Sequence, residues 1–153
     1  MPVTKLKQLL DQQHVKYITI THSPAYTSQE VAALAHVSGK EFAKTVILRL
    51  DDELAMAVLP AHRRIVTQDL RDLTGCDRVR FATEEEFKEL FPDCETGAMP
   101  PFGNLYDMEV YVAPELTADE EIAFNAGTHT EVMRMAYRDF ERIVHPHVLQ
   151  FAT

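Results

Sequence analysis

The sequence contains no tryptophan and only two cysteines among its 153 residues. Cys76 and Cys94 form no CxxC pair and are too few for a disulfide framework, which fits a reducing compartment. The chain also lacks an apolar run long enough to cross a bilayer. Its N-terminal stretch, 1–10, places Lys5 and Lys7 within an amphipathic pattern and is therefore unlike a signal peptide. Together these absences predict a cytoplasmic protein with no membrane partner.

Basic residues are also in short supply, because 15 Lys and Arg stand against 24 Asp and Glu, for a net charge of −9. That balance argues against broad, sequence-independent binding of nucleic acid, which needs a basic surface. We therefore expect no DNA partner, and any contact with RNA must be local. The one basic cluster, 62–64, is either a solvated loop or a local patch for phosphate.

The common catalytic motifs are missing as well. There is no GxSxG elbow, Walker A loop or GxGxxG fingerprint. The serines, at 23, 28 and 38, lie in no recognisable nucleophile motif. His145 and His147 flank a proline without a third ligand at metal spacing. The sequence thus predicts neither a bound metal nor a cofactor.

Hydrophobic periodicity predicts short strands with interspersed helices and no strict βαβ order. The predicted helices cover 3–12, 27–35, 67–73, 83–91 and 137–144. The predicted strands cover 15–20, 42–50, 54–59, 78–81, 108–112, 122–124 and 131–135. Thr27 and Thr83 each stand three residues before a glutamate, a capping-box signature, and Thr67 is the predicted cap of the third helix.

This order of elements is typical of an α+β fold. We predict one domain over residues 1–153, a length near the usual domain size. It should have a mixed, mainly antiparallel sheet and surrounding helices. Because only the polar residues 51–53 separate the strands 42–50 and 54–59, these two strands should form a hairpin.

Lys44 is the first candidate for chemistry. Because side chains alternate along a strand, Lys44 shares a face with Phe42, Val46 and Leu48. A lysine on the more apolar face costs free energy unless its ammonium reaches water or meets an anion. Two interpretations stay open: a lysine at a strand end that reaches solvent, or a group that holds an anionic ligand.

Two glycine-containing segments are the other candidates. Segment 97–103, Gly-Ala-Met-Pro-Pro-Phe-Gly, combines permissive glycine with stiff paired prolines. A rigid loop with exposed N–H groups can bind a phosphate, a carbonyl or an oxyanion. Segment 125–129, Asn-Ala-Gly-Thr-His, places a histidine, which can act as acid, base or donor near neutral pH, beside a turn. Each segment also fits an ordinary turn.

Taken in order along the chain, these pieces resemble the YbaK/ProX superfamily of aminoacyl-tRNA deacylases. That group includes the editing domain of bacterial prolyl-tRNA synthetases and its free-standing relatives. The matching segments are 26–32 (YTSQEVA), 43–48 (AKTVIL), 55–60 (AMAVLP), 97–103 and 124–129 (FNAGTH). The resemblance implies a YbaK-like fold and hydrolysis of the ester that joins a wrong amino acid to the 3′ end of a tRNA.

The resemblance also implies the roles of individual residues. The lysine holds the terminal nucleotide, the glycine–proline loop places backbone amides around the substrate carbonyl, and the histidine shapes the amino-acid pocket. The expected catalytic residues are Lys44, Gly97, Ala98, Met99 and Pro100. The expected substrate-binding residues are Tyr26, Phe42, Thr45, Phe102, Gly127, Thr128 and His129.

The implied partner is the acceptor end of a mischarged tRNA, with a prolyl-tRNA synthetase or another synthetase as a further candidate. Among free-standing relatives with a Pro-Pro-Phe-Gly loop, alanine on proline tRNA is the commonest target, and cysteine is its main competitor. Because the ester is already activated, a positioned water and oxyanion stabilisation suffice. Two other hypotheses stay open: a non-catalytic module that binds aminoacyl-tRNA or a nucleotide and, more weakly, a general nucleic-acid-binding protein.

Overall fold

Residues 4–25, 27–35 and 40–153 are described in the computed structural model. The helices are α1 (Thr4–Gln12), α2 (Ser28–Leu34), α3 (Thr67–Thr74), α4 (Glu84–Phe87), α5 (Pro114–Thr117) and α6 (Tyr137–Val144). The strands are β1 (Tyr17–Thr21), β2 (Ala43–Leu50), β3 (Glu53–Pro60), β4 (Val79–Phe81), β5 (Glu109–Val112), β6 (Glu121–Asn125), β7 (Glu131–Ala136) and β8 (His147–Val148). Short 3₁₀ segments cover Lys88–Leu90 and Gly103–Leu105.

The strands form two sheets. One is antiparallel, in the order β1-β7-β6. The other has the order β4-β2-β3-β5-β8, with antiparallel pairing among β4, β2 and β3 and parallel pairing among β3, β5 and β8. An isolated parallel bridge joins Phe42 to Ala123, where the Ala123 N–H donates to the Glu41 carbonyl at 3.0 Å. The predicted α+β fold with mixed, mainly antiparallel pairing is confirmed.

The described apolar side chains pack in three clusters around the sheets. The largest includes Leu10 of α1 and Phe140 of α6. A second packs α2 against Phe42 and its neighbours, and the third joins Leu70 of α3 to Phe151 near the C-terminus. Residues of β2 belong to the first and third clusters, and Phe42, which directly precedes β2, belongs to the second, so this strand is covered on both faces. The sequence pattern of β2, in which one face is more apolar than the other, predicts less burial of the second face than the structure shows.

A polar network fixes β4 and α4 against the turn end of the β2–β3 hairpin. The Arg49 Nε donates to Glu86 Oε2 at 2.7 Å, and Arg80 Nη1 donates to Glu86 Oε1 at 2.7 Å. The same carboxylate accepts the Thr83 N–H at 2.9 Å, which completes the predicted capping box. These donors hold the pKa of Glu86 well below its usual range. The network therefore fixes one end of β2 and leaves the Lys44 end to other contacts.

The predicted boundaries differ from the observed ones by one or two residues in most elements. The prediction that Thr67 caps α3 is wrong, because the N-cap is Val66 and makes no side-chain cap hydrogen bond. Helix α5 and strand β8 were missed, since elements this short do not complete a detectable period. Val3, at the predicted start of the first helix, and Gly39, near the predicted end of the second, lie outside the described residues.

Candidate functional site

Lys44 lies on the face of β2 that α2 also covers. Along that face it stands between Phe42, in the cluster beneath α2, and Val46, which packs against the α3 cluster. Across the hairpin it is paired with Leu59. The side chain is half-buried, and none of the ion pairs among the described residues includes it. A lysine that is partly desolvated without an anion is poised to bind one.

A second cation acts on Lys44. Burial lowers the pKa of Lys44 below its usual range, and the positive charge of Arg64 lowers it further. The backbone of Arg64 is fixed by two hydrogen bonds with Thr153, at 2.9 and 2.8 Å. Neighbouring cations raise the local positive potential and attract an anion such as a phosphate. Of the two interpretations of segment 62–64, a solvated loop or a local patch for phosphate, the position of Arg64 near Lys44 favours the second.

The two glycine-containing segments contact each other directly. The Gly127 N–H donates to the Ala98 carbonyl at 2.9 Å. The His129 ring is 2.8 Å from the Thr96 carbonyl through Nε2, and because a carbonyl only accepts, Nε2 carries the proton. A Cβ added at Gly97 would stand 3.6 Å from Cε1 of the same ring. The structure thus joins segments that the sequence presents 30 positions apart, and it uses His129 Nε2 to hold the loop.

Few backbone N–H groups of the Gly97 loop are left for a ligand. Gly97 has φ 86°, in the left-handed region that favours glycine, and its N–H meets the Met99 sulfur, a weak acceptor, at 3.3 Å. The Ala98 N–H is taken by the Glu95 carbonyl at 3.0 Å, and the two prolines that follow have no N–H. The Met99 N–H makes no hydrogen bond among the described residues. Within 97–101, the donors available to a carbonyl oxygen are therefore those of Gly97 and Met99, whereas that of Ala98 is structural.

Lys44 lies near the start of β2, and the paired loops follow the end of the neighbouring strand β6. Both strands run in the same direction from the bridge between Phe42 and Ala123 and remain in contact. Lys44 and Asn125 each follow this bridge by two residues and therefore lie on the same face of their strands as Phe42 and Ala123. From Asn125 the chain continues directly to Gly127 and its bond to the loop. A cation and a buried polar side chain therefore lie on neighbouring strands, and the loop amides follow the second of these strands.

Glu95 links the two loops, and sequence reasoning missed it. Its N–H donates to the Gly127 carbonyl at 2.7 Å, and its Oε1 accepts the His129 N–H at 2.9 Å. The chain has 24 Asp and Glu residues, and no local motif sets this one apart. Its role follows only from a contact between residues 34 positions apart.

Several predicted substrate-binding residues lie elsewhere. Phe42 and Phe102 are 0% exposed, and the Phe102 ring packs 5.6 Å from that of Phe124, so both support the site from the core. Thr45 lies on the face of β2 opposite to Lys44, because successive side chains alternate. Tyr26 lies outside the described residues.

Pro100 and Thr128 shape the backbone of the two loops. Pro100 is buried, and its carbonyl accepts the Phe102 N–H at 2.8 Å. The Thr128 hydroxyl lies 3.2 Å from the Thr130 hydroxyl and accepts the Thr130 N–H at 3.3 Å. Their polar groups therefore serve the turns and do not extend the set of ligand donors.

A separate open cleft of about 1020 Å³ lies at the opposite end of the β2–β3 hairpin. Its walls carry the acidic turn 51–53 together with Cys76, Tyr106 and Glu109, and none of the predicted site residues lines it. Among residues 4–25, 27–35 and 40–153, no group of three or more His, Cys, Asp or Glu is placed to hold a metal ion. The predicted site therefore lies at the other end of the hairpin from this cleft.

Comparisons with known proteins show the family to which this fold belongs. Residues 22–143 match the model of a family described as the aminoacyl-tRNA editing domain. The prolyl-tRNA editing protein ProX of Acetoanaerobium sticklandii is 26% identical over 141 residues, which cover 88% of this chain and 85% of that protein. The multifunctional Ser/Thr-tRNA deacylase ProXp-y of Escherichia coli is 26% identical over 152 residues, with 96% and 90% covered. A proline–tRNA ligase of Heliobacterium modesticaldum is 36% identical over 92 residues, 60% of this chain but only 16% of the ligase.

Solved structures share the architecture. The crystal structure of a hypothetical protein superposes with a TM-score of 0.86 at 21% identity and covers 97% of this chain and 99% of its own. A candidate trans-editing enzyme for prolyl-tRNA synthetase superposes with a TM-score of 0.83 at 19% identity, with 99% and 96% covered. At such identities the likeness concerns the fold alone. None of the helices in the described part of the chain has the length and apolar character needed to cross a membrane.

Proposed function

Because the chain belongs to the YbaK/ProX family of aminoacyl-tRNA editing domains, we propose that it acts in trans on proline tRNA carrying alanine. Its activity is that of a hydrolase of aminoacyl-tRNA. We further propose that residues 1–153 form one editing domain, that it works in the cytoplasm, and that a prolyl-tRNA synthetase delivers its substrate. The relationship to part of a proline–tRNA ligase supports that partner.

The observation that carries the proposal is the half-buried Lys44, with Arg64 acting on it, beside two loops that are bonded together. A phosphodiester at Lys44 would supply the anion that the described residues do not. The terminal nucleoside of the tRNA would then lie over β6, and the acyl group that it carries would reach the Gly97 loop. Because only two cations are involved, the acceptor end can bind despite the net charge of −9.

The reaction that fits this geometry is direct hydrolysis. A water oxygen attacks the ester carbonyl carbon, and the N–H groups of Gly97 and Met99 donate to the developing oxyanion. The bond between the acyl carbon and the ribose oxygen then breaks. Water contributes its hydroxyl to the released amino acid and its remaining proton to the ribose oxygen. An activated ester needs no protein nucleophile when the attacking water is positioned.

The choice of alanine follows from the confined space around Gly97. The His129 ring lies over Gly97, and the neighbouring Ala98 and Met99 are buried, so the loop leaves little room for a long side chain. A small pocket excludes larger side chains by steric clash. Serine is the second candidate, because one relative is named a Ser/Thr-tRNA deacylase.

The proposal is tested by measuring ester loss from proline tRNA charged with alanine, cysteine or serine, and from threonine tRNA charged with serine. We expect alanine to be released fastest. Faster release of serine would establish the second candidate. If no ester is hydrolysed while a non-hydrolysable alanyl-adenosine analogue still binds, the chain is the non-catalytic module and the proposal fails.

The contact made by Glu95 gives a further test. Glu95→Ala removes the acceptor of the His129 N–H and should lower the deacylation rate about 10-fold or more, because small displacements of positioning groups are costly. Glu95→Gln is the matched control, since its amide oxygen can accept the same N–H. Equal rates for wild type and Glu95→Ala would contradict the proposed linkage.

A further inference from the structure

Asn125 is a polar residue that the core encloses, and its side-chain oxygen has no hydrogen-bond partner among the described residues. The residue is only 9% exposed, and it is the single polar or charged member of the buried set among the described residues. Its Oδ1 is buried and has no hydrogen-bond partner there. An unpaired buried carbonyl destabilises the folded state, because it has lost its hydrogen bonds to water. A residue that lowers stability in this way is a candidate for ligand binding.

The side chain faces the candidate site. Residues two apart on a strand share a face, so Asn125 shares the face of Ala123, which packs with Phe42 beneath α2. Lys44 is likewise two residues beyond Phe42 on β2. The bridge between Phe42 and Ala123 therefore places Lys44 and Asn125 on one face of adjacent strands.

Asn125 also lies between the two groups that hold the ends of the substrate. Lys44 is on one side, and on the other the chain passes through Ala126 to Gly127, whose N–H is bonded to Ala98 of the loop. A nucleotide whose phosphate is at Lys44 and whose acyl group is at the loop has its ribose in the middle. A carboxamide both donates and accepts, as a ribose hydroxyl does. The positive charges of Lys44 and Arg64 disfavour the ammonium of the amino acid at this position.

We propose that the Asn125 carboxamide hydrogen-bonds the free vicinal hydroxyl of the terminal ribose and thereby positions the ester over the Gly97 loop. This inference rests on the proposed function. It assigns to Asn125 the recognition of the ribose, a part of the substrate that neither Lys44 nor the loop amides contact. The residue is a positioning residue, since the bond that breaks is at the neighbouring oxygen.

The test measures binding of two probes by calorimetry: 3′-alanylamido-adenosine 5′-phosphate with a 2′-hydroxyl, and its 2′-deoxy counterpart. The amide in place of the ester prevents hydrolysis. Wild type should prefer the hydroxyl probe about 2- to 10-fold, the range of one net hydrogen bond. Asn125→Leu and Asn125→Ala should bind both probes as wild type binds the deoxy probe. The control is Asn104→Ala, which changes the other asparagine, an exposed one, and should keep the preference.

A stability measurement separates positioning from a structural role. Because the carboxamide oxygen is unpaired, Asn125→Leu should melt at or above the wild-type temperature. A large loss of melting temperature in both variants, a preserved hydroxyl preference, or equal weakening of both probes would each overturn the inference.

If wild type deacylates no tRNA but Asn125 still sets the hydroxyl preference, the proposed function fails and the ribose contact stands. If deacylation occurs without that preference, the inference alone fails.

Discussion

Replacement of Lys44 by alanine should lower the deacylation rate about 10²- to 10³-fold, comparable to the loss of one preorganised electrostatic contact. The side chain is half-buried and has no ion pair among the described residues, so the fold does not require its charge. A phosphate of the tRNA terminus is the anion it would bind. Single-turnover hydrolysis of alanine from proline tRNA measures the effect.

The same variant should keep or raise the melting temperature. The pKa of Lys44 is lowered by burial and by Arg64, which means that the folded state disfavours the charged form. Lys88→Ala is the control, because Lys88 is an exposed lysine paired with Glu85 at 3.1 Å, and its loss should change neither rate nor fold. Full activity in Lys44→Ala would remove the basis of the proposed site.

The pH dependence of phosphate binding provides a second measurement of this role. Since the pKa of Lys44 is lowered, the free protein loses this charge below the usual lysine value of about 10.4. Affinity for adenosine 5′-phosphate should therefore be complete above the second pKa of the phosphate, about 6, and fall as the pH rises through the lowered pKa of Lys44. Lys44→Arg should flatten this decline, because a guanidinium stays protonated throughout. A flat profile in wild type would show that Lys44 does not hold the phosphate.

Local patterns predicted most of the elements because each is determined by residues close in sequence. Helix α6 was predicted with its observed bounds, since its apolar positions repeat at helical spacing and Tyr137, Phe140 and Val144 are all buried. The β2–β3 hairpin followed from a short polar gap. The bridge that joins the two sheets was not predictable, because Phe42 and Ala123 are far apart in sequence and nothing local marks their pairing.

The candidate site shows the same division. Lys44, the Gly97 loop and the segment ending at His129 each carry a local signal, and the structure brings the two loops into contact. What the sequence could not supply is the set of groups between them. Glu95 is one carboxylate among many, and Asn125 reads as an ordinary strand end until its burial is known. Lys44, Asn125 and the loop amides are brought together only because β2 and β6 are adjacent in the fold, and no local sequence pattern predicts that adjacency.

Gly103→Ala should destabilise the fold by about 1–3 kcal/mol, the usual range for overpacking. A Cβ at this position would stand 2.6 Å from the Met108 carbonyl oxygen and 2.6 Å from Val110 Cγ2. The Gly103 carbonyl also accepts the N–H of Met108 at 2.9 Å, so the clash falls on a segment that is held in place. Because Gly103 ends the glycine–proline loop, a shift here would also move Met99 and reduce activity.

Gly75→Ala is the matched control for this substitution. Gly75 has φ 76° at the end of α3, and an added Cβ would meet nothing within 4 Å, so its cost is backbone strain alone, about 1 kcal/mol. Urea unfolding should show a lower midpoint for Gly103→Ala than for Gly75→Ala at an unchanged slope. If the two variants are equally stable, the loop relaxes freely at its Gly103 end, and its amides are not held rigidly enough to serve a developing oxyanion.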